Sequence, residues 1–94
     1  MKLEDALFNW LQIKVVSEAR LNDRSAKDTL NFFTDIISED HQVSEMEYTK
    51  DATMYTLRYT VGGTRKLQMY PIELVEQLLN AIENEPKFNV EEEA

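Results

Sequence analysis

The chain has 94 residues, 43% of them apolar, with two glycines, two prolines, one histidine, no cysteine and a formal net charge of −8. That length suits one domain with one core, and the missing cysteine excludes disulfides, thiolate catalysis and thiolate metal sites. No uninterrupted apolar run nears the roughly 18–20 residues that span a bilayer, since even the richest segment, Ala6 to Val16, is broken by Asn9, Gln12 and Lys14.

Leu3, Ala6, Leu7, Trp10 and Leu11 repeat at the spacing of one helix face, which predicts a first helix from residue 3 to about residue 20. Phe8 and Val15 widen the apolar arc, so this helix should be covered on more than one side. Trp10 carries an indole N–H that needs a partner if buried, and an interface edge would also suit it. Glu4 and Asp5 stand where a secretory signal would be basic, so a cytoplasmic location is expected.

Asn22, Asp23 and Ser25 are all N-cap residue types, with Asp28 three positions beyond Ser25 in capping-box spacing, and they predict a new helix. Its stripe is Ala26, Leu30, Phe33 and Ile37, and its end should fall near Glu39 to His41. Val43 to Lys50 alternates imperfectly and reads as a strand, the expected edge of a sheet.

Residues 52–70 hold the chain's only glycines between two alternating, β-favouring runs and predict a hairpin. Tyr55, Leu57, Tyr59 and Val61 share one face, taken as the core side, and Met54, Thr56, Arg58 and Thr60 share the other. A two-residue Gly62-Gly63 loop would set Leu57 against Gln68 and Tyr59 against Lys66. A bulged three-residue loop would instead match the apolar sets with Leu67 and Met69, and apolar matching favours it. Pro71 then fits the first position of a third helix, with Ile72, Val75, Leu78, Leu79 and Ile82 as its stripe and an end near Glu85.

The expected fold class is therefore α+β in the order α-α-β-β-β-α, a three-stranded antiparallel meander packed on one face by helices. Residues 1–86 make the single domain, and residues 87–94 an acidic C-terminal tail or, through Phe88 and Val90, a clip onto the body. Residues 71–94 carry 7 acids against 1 base, whereas residues 1–70 carry 11 against 9, so the negative charge is concentrated at the C-terminal end. Such a field favours solubility or a basic partner.

Catalytic patterns find little support. His41 is the lone histidine, placed to act as a cation at a helix C-terminus, and a zinc site would have to rely on carboxylates. The pairs Glu39/Asp40 and Glu45/Glu47 lie in polar contexts that give no reason for their pKa values to separate. Ser17, Ser25, Ser38 and Ser44 lack a nucleophile motif, and Gly62-Gly63 lacks the Lys-Ser/Thr of a phosphate loop. No enzyme, cofactor or metal is expected.

Seven of the ten bases fall in two groups, Lys14, Arg20, Arg24 and Lys27 at the helix junction and Arg58, Arg65 and Lys66 in the hairpin. The second helix nevertheless carries Asp28, Asp35 and Glu39, which argues against nucleic acid. The leading expectation is a non-enzymatic protein-interaction or regulatory module of the bacterial cytosol, binding an unknown protein or a second copy of itself as a homodimer. The candidate face is Met54, Thr56, Arg58 and Thr60 with Lys66 and Gln68. The alternative is a small-ligand-binding domain with an aromatic pocket between helices and sheet, lined by Trp10, Tyr55 and Tyr59.

Overall fold

The broad apolar arc of the first helix dictates a burial that no single contact face can satisfy, and the computed structural model, which describes residues 1–85, shows how it is met. Helix α1 (Leu3–Ala19) sends Ala6, Leu7, Trp10, Leu11 and Val15 into the main core with Ile37, Val43, Tyr55, Leu57, Tyr59 and Val75. From another side Ile13 and Val16 join Ala26 in a second cluster, against which Leu30, Phe33, Leu78, Leu79 and Ile82 pack. Trp10 is only 6% exposed, and its Nε1–H donates to Thr34 Oγ1 at 2.9 Å. That hydroxyl donates in turn to the Leu30 carbonyl at 2.8 Å, so the indole is satisfied inside the fold rather than at an interface edge.

Of the three possible caps, Asp23 is the one used. Its carboxylate accepts the Ala26 N–H at 3.0 Å and pairs with Arg20 Nε at 3.2 Å, starting helix α2 (Arg24–Asp35). This helix runs into a π-helical turn, Ile36–Asp40, where Ile37 is fully buried and Ile36 packs beside it.

Strands β1 (Val43–Lys50), β2 (Met54–Val61) and β3 (Thr64–Pro71) form an antiparallel sheet in the order β1-β2-β3, with the helices on one face. The fold is α+β, with the element order the hydrophobic periodicities predict. Two residues of β1, Glu45 and Met46, fall between the pairs Ser44↔Thr60 and Glu47↔Arg58, making a bulge with Glu45 at φ 54°. Asp51 closes the next turn, its Oδ1 accepting the Thr53 and Met54 N–H groups at 2.8 and 2.7 Å. These backbone hydrogen bonds hold its carboxyl below the usual range.

The second hairpin overturns the expected three-residue loop. Val61 pairs with Thr64 across a two-residue Gly62-Gly63 turn with φ of 57° and 82°, both left-handed. Turn geometry explains the outcome, because two consecutive positive φ values match the twist of the strands and glycine adopts them without steric cost. The consequence is a shift of every β3 side chain to the opposite face from the one apolar matching assigns.

Pro71 also departs from expectation. It is the last residue of β3 and precedes a short helix α3 (Ile72–Val75), which is separated by Glu76 from α4 (Gln77–Glu83). The single expected third helix is thus two pieces, with Val75 fully buried and Leu78, Leu79 and Ile82 half-buried. The acidic segment 87–94 lies outside the described residues.

Candidate interaction surface

Directly paired residues share a sheet face, so the register fixes which side chains look away from the helices. Met54, Thr56, Arg58 and Thr60 do so, as expected, and their β3 partners are Pro71, Met69, Leu67 and Arg65. Lys66 and Gln68, assigned to this face from the sequence, instead pair with Tyr59 and Leu57 on the helix side. Gln68 Nε2 lies 3.5 Å from the Tyr59 hydroxyl, and Lys66 reaches solvent at the sheet margin.

The outer face is divided. Toward β1 it is polar, with Arg58 Nη1 donating to Thr49 Oγ1 at 3.2 Å and Arg65 Nη2 paired with Glu47 Oε1 at 3.2 Å. Toward β3 it is apolar, with Leu67 53% and Met69 50% exposed beside half-buried Met54. Thr60 Oγ1 is buried there without a hydrogen-bond partner among the described residues.

Both β1 and β3 are edge strands, but they differ as templates. The bulge at Glu45–Met46 interrupts β1, the edge expected from sequence, whereas β3 pairs with β2 without a register shift from Thr64 to Pro71. In a two-residue hairpin the closing pair is hydrogen-bonded and the pairs alternate from there. The backbone groups of Thr64, Lys66, Gln68 and Tyr70 therefore point at β2, and those of Arg65, Leu67 and Met69 point away from the sheet. The exposed apolar side chains and the outward backbone groups belong to the same residues. Leu67 and Met69 were missed in the sequence reading because apolar matching placed them in the core; the Gly-Gly pair was the signal that places them outside.

The aromatic trio of the alternative reading is packed core. Trp10, Tyr55 and Tyr59 are 6%, 3% and 3% exposed. A groove of about 590 Å³ lies elsewhere, lined by Ile13, Arg20, Arg24, Ala26, Leu78 and Ile82 among others.

Tyr55 does take part in a polar cluster. Its hydroxyl donates to Glu76 Oε2 at 2.5 Å, and Lys50 Nζ binds the same oxygen at 2.8 Å. Lys50 and then Tyr55 hold the Glu76 carboxyl below its usual range, while burial and the Glu76 hydrogen bond push the Tyr55 hydroxyl far up. Tyr48 donates to Glu18, and burial with that bond raises its hydroxyl to about 12. At neutral pH Glu76 is thus ionised and the tyrosines are protonated, an arrangement that ties β1 and β2 to the α3–α4 break. Because the folded-state pKa of Glu76 lies below its unfolded value, its contribution is present above the unfolded pKa and fades as the pH falls through the folded one. Glu76→Gln should therefore lower the melting temperature at neutral pH, with the gap to wild type closing in acid; circular-dichroism melts across pH measure it.

His41 Nε2 lies 2.9 Å from the Met1 carbonyl oxygen, an acceptor only. Among the described residues no three His, Cys, Asp or Glu side chains are grouped to hold a metal ion, and no helix is long and apolar enough to cross a membrane. No family model, curated protein or solved structure matches the chain.

Proposed function

We propose that this protein is a non-enzymatic protein-interaction or regulatory module of the bacterial cytoplasm, which engages another protein chain, a partner or a second copy, through the outer face of its sheet. The observation that carries this reading is the exposed pair Leu67 and Met69 on a strand whose outward backbone groups belong to those same residues. Exposed apolar side chains beside an unpaired, regular strand edge are what β-strand addition and sheet-face docking use. Arg58 and Arg65 on that face would favour a partner that carries negative charge.

The test is recovery of the tagged chain from its native lysate with and without nuclease, followed by light scattering of the isolated protein and of any complex. A nuclease-resistant complex, or a dimer, that weakens on Arg58→Gln while the melting temperature holds is the expected result. Association unaffected by this change and by those at Leu67 and Met69 would remove the face from consideration.

A further inference from the structure

We infer that the open edge of β3 takes an acidic, extended segment of a partner protein as a fourth, antiparallel strand, one that reads apolar, polar, apolar, acid along its own chain. This inference rests on the sheet-surface reading above and names the partner chemistry that such a surface fits.

The edge offers a short and defined set of backbone groups. Thr64, Lys66, Gln68 and Tyr70 bond toward β2, and the series continues at Ile72, whose N–H donates to the Thr53 carbonyl at 3.1 Å. Arg65, Leu67 and Met69 are left with their N–H and C=O groups directed out of the sheet. Pro71 comes next in that outward series and has no N–H, so the template closes there. An antiparallel segment opposite residues 65–69 can exchange both backbone bonds with each of the three outward residues.

Side chains set what the segment must carry. Directly opposed residues share a face, so the positions opposite Met69 and Leu67 lie on the outer face beside half-exposed apolar side chains. The position opposite Lys66 lies on the other face. Lys66 is exposed and makes no ion pair among the described residues, whereas Arg65 is already held by Glu47. Running antiparallel, the partner therefore meets Met69 and Leu67 with apolar residues, Gln68 between them with a polar one, and Lys66 with an acid.

Charge selects both the edge and its occupant. From Thr64 to Pro71, β3 carries Arg65 and Lys66 and no acid, whereas β1 carries Glu45 and Glu47 and is bulged between Ser44 and Glu47. An acidic segment is drawn to the first edge and repelled from the second. A second copy of the chain fits less well, because pairing β3 with β3 would gather two Arg65 and two Lys66 with no acid in either strand to answer them.

The test is an NMR titration of the full chain with a capped hexapeptide, Thr-Val-Thr-Val-Glu-Thr, followed at the backbone amides. Those of Arg65, Leu67 and Met69 should shift and exchange their hydrogens about ten-fold or more slowly once the peptide is bound, while those of Lys66 and Gln68, already bonded to β2, exchange as before. N-methylation of both valines, whose N–H groups face β3, should weaken binding about ten-fold or more. Replacing the glutamate by lysine should weaken it about two- to five-fold, and Lys66→Glu should reverse that preference. Outward amides that stay unmoved at millimolar peptide, or binding indifferent to N-methylation, would overturn strand addition. Equal binding of the lysine peptide would overturn the acidic choice, and outward amides protected without peptide as protein concentration rises would hand the edge to a second copy. A native complex that weakens on Arg58→Gln while the three outward amides exchange freely would sink strand addition and leave the sheet-surface reading standing.

Discussion

Leu57→Ala should lower stability by about 3–4 kcal/mol, a large part of the roughly 5–14 kcal/mol expected for a domain of this length. Leu57 is fully buried at the middle of the central strand, paired with Tyr48 on one side and Gln68 on the other, and it belongs to the main core with Leu7 and Leu11. Truncation there removes contacts that neighbouring strands hold in place, so the cavity cannot readily collapse. Leu67→Ala, ten residues on, should cost less than about 1 kcal/mol because half of that side chain is already in water. The contrast tests the hairpin register directly. A three-residue loop would set both leucines on the core side and make the two substitutions comparably damaging. Urea unfolding of both variants, with equal slopes, separates the cases.

The register shows where sequence reasoning succeeds and where it stops. Periodicity located α1, α2 and the three strands because burial of one face is repeated along each element, and the repeats of Leu3 to Leu11 and Tyr55 to Val61 are long enough to be unambiguous. A hairpin's register depends on a single local event, and there two signals conflicted. Gly62-Gly63 asked for a two-residue turn, while Leu67 and Met69 asked for burial. The backbone won, since two consecutive left-handed residues are cheap only for glycine, whereas an apolar side chain on an open sheet face costs little in a small domain with much apolar surface already exposed. The split at Glu76 has a similar origin. Glu76 is held by Lys50 and Tyr55, contacts far away in sequence that periodicity does not reveal. The candidate surface was half legible for the same reason, with Met54, Thr56, Arg58 and Thr60 placed by alternation within one strand and their β3 neighbours placed by the turn. A place where local turn chemistry and apolar burial disagree is also where a functional constraint is expected to show.

Leu67→Glu combined with Met69→Thr should weaken association through the outer face by about 30-fold or more, the effect of losing some 2 kcal/mol of anchoring. Both residues are half exposed, stand on the open side of the sheet, and carry the outward backbone groups of β3. These replacements are chosen to spare the fold. Leu67 is directly opposite Arg58, so a glutamate there gains a cross-strand cationic neighbour, and Met69 is opposite Thr56, so a threonine there makes a Thr–Thr cross-strand pair of good β-propensity. The melting temperature of the double variant should therefore stay close to that of the wild type while the complex or dimer is lost, as sedimentation or light scattering would record. Retained association would mean that the apolar stripe of Leu67 and Met69 is not the contact. Loss of association together with a large fall in melting temperature would mean instead that the two side chains support the sheet, and would count against an interface role. Arg65→Ala separates the elements of the surface further. It leaves the backbone edge and the apolar pair in place and removes only the cation now held by Glu47, so a strand-pairing partner should tolerate it, whereas an acidic partner recognised by charge should not.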